Sequence, residues 1–182
     1  MQIAYRGYYK RFLKLPKETI IALLVIAVTV VAAYAFYRMR TRKRRKEREK
    51  QQKIKQRVKK LSRTRAELTP EEFMRLRAQT FGNGAARHDK LNFEGVYVLF
   101  NVTKSMYYVG QGKKVLDRVN MHFTGKGNGD VYADYKYGDE FTIKIIGLKH
   151  SGYRSLNALE RDTISTFEAY AKGYNKTKGN KD

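Results

Sequence analysis

The chain contains no cysteine and no tryptophan, two prolines and three histidines among its 182 residues. Without cysteine there is no disulfide framework, no thiolate nucleophile and no thiolate zinc or iron–sulfur site. Three histidines leave little room for a multi-histidine metal centre. Acidic residues are also scarce: 17 stand against 39 lysines and arginines, a formal charge of +22. Such an excess suits a polyanion, either nucleic acid or an anionic membrane surface. At this length the chain holds one domain of ordinary size plus accessory segments.

The charge is unevenly spread. Residues 38–65 carry 16 Lys/Arg and two acids, Glu47 and Glu49, for +14. Residues 66–182 carry 18 Lys/Arg and 14 acids, for only +4. Just before the basic stretch, residues 19–37 (TIIALLVIAVTVVAAYAFY) contain no charged side chain. As a helix they reach roughly 28 Å, about the thickness of a hydrocarbon core, and no polar stripe marks them as a soluble core helix. They read as a transmembrane helix. Ala33-Tyr34-Ala35 has the form of a signal-peptidase site, but the strongly basic sequence that follows disfavours export. Tyr34, Phe36 and Tyr37 at one end, and Tyr5, Tyr8, Tyr9 and Phe12 before the other, suit interfacial aromatic belts. Eleven basic residues within 38–55, against five before the span, place the C-terminal bulk in the cytoplasm and a short segment, 1–18, outside.

Residues 38–68 are expected to form a basic helical stalk, rich in Lys, Arg, Glu and Gln and free of Gly and Pro. Ile54, Val58 and Leu61 mark a narrow apolar stripe along it. The stalk can hold anionic lipids through residues 38–65, and it can neutralise nucleic-acid phosphates; the two are compatible. Residues 69–91 are expected to be a short helix and linker. Thr69 serves as N-cap, Pro70 as first helical residue and Glu72 as partner in a capping box. The helix should run to about Gln79 and end at Phe81-Gly82-Asn83-Gly84.

From residue 92 the texture changes to that of a folded domain. Alternation over 93–102 and a second run at 106–109, joined by Thr103-Lys104-Ser105, predict a β-hairpin. Residues 113–123 show helical spacing, 141–146 a third strand, and 155–170 a second helix with Leu156, Leu159, Ile164 and Phe167 inward. The order β-β-α-β-α implies an α/β (α+β) fold, a small sheet covered by helices. Tyr107 and Tyr137 are expected to be half-buried. The acids Asp130, Asp134, Asp139 and Glu140 read as loop solvation, and His88 and His150 as surface residues. Gly125-Lys126-Gly127-Asn128-Gly129 lacks the strand-to-helix GKS/T context of a nucleotide loop, so no small-molecule cofactor is expected.

Within this domain Gly95-Val96-Tyr97 and, after ten residues, Tyr108-Val109-Gly110 resemble the paired signature of the GIY-YIG nuclease family, with Val for Ile in both. Arg118 and His122 match the family's arginine and a frequent histidine, Glu160 its metal-binding glutamate, and Asn175 its asparagine near the end of the domain. The resemblance covers about residues 93–180. It implies a three-stranded antiparallel sheet flanked by helices and a phosphodiester hydrolase dependent on Mg²⁺ or Mn²⁺ with DNA as partner.

The residue chemistry agrees. Hydrolysis of a phosphodiester needs an activated water, a cation against the developing charge and a metal on the oxygens. Tyr97 or Tyr108 would serve as or orient the base, and Arg118 offers a planar fork for phosphate. Glu160 is a hard oxygen ligand suited to Mg²⁺. His122, one turn from Arg118, either orients phosphate or packs near Phe123. Asn175 would hold a loop or the substrate. The expectation is a membrane-tethered endonuclease, with a non-catalytic membrane-anchored nucleic-acid-binding module as the alternative.

Overall fold

The structure, a computed structural model, describes residues 16–82 and 92–180. The aromatic residues at 5–12, the loop from Asn83 onward, the polar run 87–90 and His88 lie outside the described residues. The chain divides into two compact units, Met1–Lys50 and Gln51–Asp182.

In the first unit the described residues from Lys17 onward belong to one helix, α1 (Lys17–Arg63), whose last turns fall in the second unit. Its most apolar 18-residue window has a mean hydropathy of 2.6 and no buried residue, so by length and composition it can cross a membrane. Ile21, Leu24, Val28 and Val31 are each at least 60 % exposed.

The second unit is built on three antiparallel strands, β1 (Gly95–Asn101), β2 (Met106–Gly112) and β3 (Phe141–Gly147), in the order β2-β1-β3. Four helices join them: α2 (Pro70–Gly82), α3 (Val115–Phe123), α4 (Gly129–Lys136) and α5 (Leu156–Thr166). The sheet flanked by helices is the architecture expected from the sequence. Because β1 is central and both faces are covered, its two alternating sets are both buried. Val96 and Val98 pack with Val109, Ile146 and with Leu159 and Ile164 of α5. Tyr97 and Leu99 point the other way, into a cluster with Phe73, Val115, Val119, Phe123, Val131 and Ile143. Leu156 and Phe167 are partly buried against the first cluster, as their spacing predicts.

Local signals account for several boundaries. The capping box forms: the Glu72 N–H donates to Thr69 Oγ1 (3.2 Å) and the Thr69 N–H to Glu72 Oε2 (2.8 Å). Ser155 caps α5 by accepting from the Ala158 N–H (3.0 Å). Just before α2, Leu68 exchanges both backbone hydrogen bonds with Ile143, extending the sheet by one bridge beyond β3. The apolar stripe on the last turns of α1 has a destination: Val58 is fully buried and Leu61 packs on the Val96 cluster.

Two details depart from the sequence reading. The stretch holding Asp130 and Asp134 is not loop but the eight-residue α4, whose N-cap Asn128 accepts from the Val131 N–H (3.0 Å). Its brevity and its glycine start hide it from a periodicity search; burial of Val131 holds it in place. Tyr137, expected to be half-buried, is 87 % exposed; it follows the last turn of α4 as its C-cap residue rather than lying in a strand.

Candidate active site

The hairpin register sets the site. Tyr97 stands opposite Gly110 and Leu99 opposite Tyr108, so both tyrosines project from the same face, their ring centroids 6.2 Å apart. A Cβ on Gly110 would collide with the Tyr97 hydroxyl, so the glycine of the second tripeptide is the space in which the first tyrosine lies. Gly112 does the same for Arg118: a Cβ there would stand 2.6 Å from Arg118 Cγ. Tyr97, Tyr108, Gly110, Arg118 and Glu160 line one cleft of about 610 Å³.

His122 lies behind this cleft, 1 % exposed. Its Nδ1 accepts from the Asn128 backbone N–H (2.9 Å), and its Nε2 lies 2.8 Å from Tyr97 Oη. A backbone N–H can only donate, so the ring proton of the neutral imidazole sits on Nε2 and is donated to Tyr97. Burial, then the Arg118 charge, lowers the His122 pKa to about 4. His122 thus packs against the rings of Tyr97 and Tyr108 and does not line the cleft.

The two tyrosines differ. Tyr97 is fully buried, and desolvation pushes its pKa far above that of a free phenol; Tyr108 adds to the rise and Arg118 opposes it. Tyr108 is partly buried; burial raises its pKa, the Arg118 charge and a hydrogen bond with Tyr97 oppose the rise, and the Glu160 charge adds to it. Glu160 is 7 % exposed, and burial raises its pKa against a weaker opposing hydrogen bond from the Asn180 N–H.

Asn175 stands outside the cleft. Its Oδ1 accepts from the Val109 N–H (2.8 Å) and its Nδ2 donates to the Val109 carbonyl (2.7 Å). The amide thus imitates a neighbouring strand along the free edge of β2 and holds the Val109-Gly110 backbone. Gly95, Val96 and Val109 contribute strand pairing and core. Asp134 and Asp139 bind Lys104, and Asn101 and Tyr174 join them, away from the cleft.

Some supporting residues carry no local sequence signal. Asn92 accepts from the Leu116 N–H (2.8 Å) and gives its amide proton to Asp117 (2.8 Å), capping α3, the helix that carries Arg118 and His122. Lys113 and Lys114 line the cleft, as does Asn180. The glycine spacing 110, 112 was the one available hint to the space around Arg118.

Among the described residues no group of three or more His, Asp or Glu is assembled to hold a metal. A single carboxylate still fits a small divalent cation, since Mg²⁺ keeps most of its water and takes one or two protein carboxylates beside substrate phosphates. The donor is right: Glu160 is largely desolvated at the wall of a cleft, where a cation would offset the cost of its charge.

Comparison with known proteins matches residues 93–175 to the GIY-YIG catalytic domain. It gives no match among curated proteins and none among solved structures. The matched span contains both tyrosines, Arg118, His122, Glu160 and Asn175 on the sheet just described, and the C-terminal domain of this chain therefore belongs to the GIY-YIG family, an endonuclease family generally dependent on divalent metal.

Proposed function

We propose that the chain is a membrane-tethered, Mg²⁺- or Mn²⁺-dependent endonuclease that cuts DNA at the cytoplasmic face, with incoming foreign DNA as its target. The observation that carries the catalytic part is the convergence of Tyr97, Tyr108, Arg118 and Glu160 on one cleft, although they come from two strands and two helices.

In this reading water attacks phosphorus, the P–O bond to the leaving oxygen breaks, the water's proton passes to the Tyr108 phenolate, and the leaving oxygen takes a proton from solvent water. Tyr108 has this role because it is the more exposed of the pair; burial raises its pKa, and the Arg118 charge and the Tyr97 hydrogen bond offset part of that rise. Tyr97, held by His122, orients it. Arg118 meets the charge that grows on the phosphate oxygens. Glu160 holds the cation, which when bound supplies Lewis-acid charge at those oxygens.

The apolar part of α1 supports the tether, and the 16 Lys/Arg of residues 38–65 support contact with anionic lipids and an inward-facing domain. A nuclease held there meets DNA as it enters, which motivates the defensive role. Full-length protein in detergent micelles, supercoiled plasmid and Mg²⁺ test the enzyme. Wild type should nick, with a rate that rises with pH through the neutral range, while Tyr108→Phe and Glu160→Ala should lose at least a hundredfold. Binding of DNA without nicking by wild type would instead identify the non-catalytic tether. For the membrane part, Val25→Lys with Val28→Lys should release the protein from membrane fractions; unchanged retention would refute the span.

A further inference from the structure

We infer that residues 176–180 form a strap that positions Glu160 and thereby sets which divalent cation the site accepts. This rests on Glu160 being the metal ligand, as proposed above. The strap lies beyond the span shared with the GIY-YIG catalytic domain, which stops at residue 175.

The strap is tied along its length. Asn175 secures its start to Val109, Lys176 Nζ pairs with Asp130 (2.6 Å), and Lys178 Nζ lies 5.6 Å above the Tyr170 ring. Gly179 then turns with φ +94°, seated against Arg161 and Ile164. The chain reaches α5 at Asn180, whose carbonyl accepts from Arg161 Nη1 (2.8 Å) and whose N–H lies 3.5 Å from Glu160 Oε2. That last contact is long, so Arg161 supplies the anchoring. Being consecutive on a helix, Glu160 and Arg161 cannot face the same way. Glu160 faces the cleft, and Arg161 holds the strap that touches it.

The chemical consequence concerns the carboxylate's two oxygens. The strap amide beside Oε2 competes with a cation for that oxygen and so favours ligation through the other. One-oxygen ligation suits Mg²⁺ and Mn²⁺, whereas Ca²⁺ readily takes both oxygens of a carboxylate in a wider shell. The strap therefore favours the smaller cations.

The test is direct Mn²⁺ binding by the full-length chain in detergent, read from the electron paramagnetic resonance signal of free Mn²⁺, with Ca²⁺ as competitor. Gly179→Ala removes no charge and no carboxylate. Its Cβ would stand 3.0 Å from Arg161 Cγ and 3.3 Å from Ile164 Cδ1 at a φ that strains any side chain, so the strap must shift. The Mn²⁺ dissociation constant should rise roughly tenfold, as for loss of a group that orients a ligand, and less Ca²⁺ should displace the ion. Arg161→Ala should act in the same direction. A purely electrostatic role predicts the opposite, since deleting a cation beside Glu160 would tighten Mn²⁺ binding. Wild-type affinity and competition in Gly179→Ala, or tighter binding in Arg161→Ala, overturns the strap. If Glu160→Gln binds Mn²⁺ as wild type does, the metal assignment fails and the strap with it; if only Glu160→Gln loses binding, the strap alone fails. Unchanged thermal unfolding of the Gly179→Ala domain separates these outcomes from misfolding.

Discussion

Acidification should destabilise the catalytic domain through one side chain, His122. Its ring is 1 % exposed, accepts the Asn128 N–H at Nδ1 and faces Tyr97 Oη through Nε2. A second proton on Nδ1 would point at the Asn128 N–H, breaking that bond and leaving a partly buried amide without its acceptor. The charge would also lie among two tyrosine rings, with Arg118 one helical turn away. These costs appear as a pKa lowered to about 4, against about 6.5 in an unfolded chain. Since the folded value is the lower one, the unfolded state takes up a proton first, and stability present above about pH 6.5 is lost as the pH falls toward 4. The full loss approaches about 3 kcal/mol, and about 2.5 kcal/mol of it accrues between pH 7 and pH 4.5.

The perturbation that isolates this effect is His122→Asn, which keeps an acceptor near the Asn128 N–H but cannot titrate. Denaturant unfolding of full-length wild type and variant in detergent, followed by near-ultraviolet circular dichroism of the tyrosines, gives two stability curves against pH. Other acid-sensitive groups are common to both proteins and cancel in the difference. The advantage of wild type over variant should shrink by about 2.5 kcal/mol from pH 7 to pH 4.5. A difference that stays level across this range would refute the neutral, Nε2-protonated His122, and with it the direction of the hydrogen bond to Tyr97.

Two other side chains allow similar tests. Phe73 on α2 is fully buried in the cluster that holds Tyr97, so Phe73→Ala should cost about 3–5 kcal/mol and lower the thermal midpoint, a change readable by calorimetry. Asn175→Ala removes both hydrogen bonds to Val109 and should cost about 1–3 kcal/mol, with faster hydrogen exchange at the Val109 amide as its local signature. An unchanged exchange rate there would mean that the strand edge does not depend on Asn175.

What could be read along the chain was whatever depends on near neighbours. The uncharged run at 19–37, the Thr69–Glu72 capping box, the period-two pattern of β1 and the helical spacing of Leu159 and Ile164 are local properties, set by backbone geometry and side-chain period. The tyrosines, Arg118 and Glu160 were recognisable by type and order for the same reason. Other features depend on partners far off in sequence, and only packing selects those. Asn92 caps a helix 24 residues downstream because its strand entry lies beside that helix. Phe73 and Val58 precede the domain's first strand yet are buried with it. The His122 proton is assigned by a backbone amide that α4 brings within reach, and α4 itself was invisible to periodicity. Asn180 touches Glu160 because Gly179 turns the chain there. The sequence alone determined the type and order of the chemical groups that line the cleft. The tertiary structure decided which hydroxyl opens to the cleft, which way its hydrogen bonds run and what holds the carboxylate, because those follow from three-dimensional register and burial.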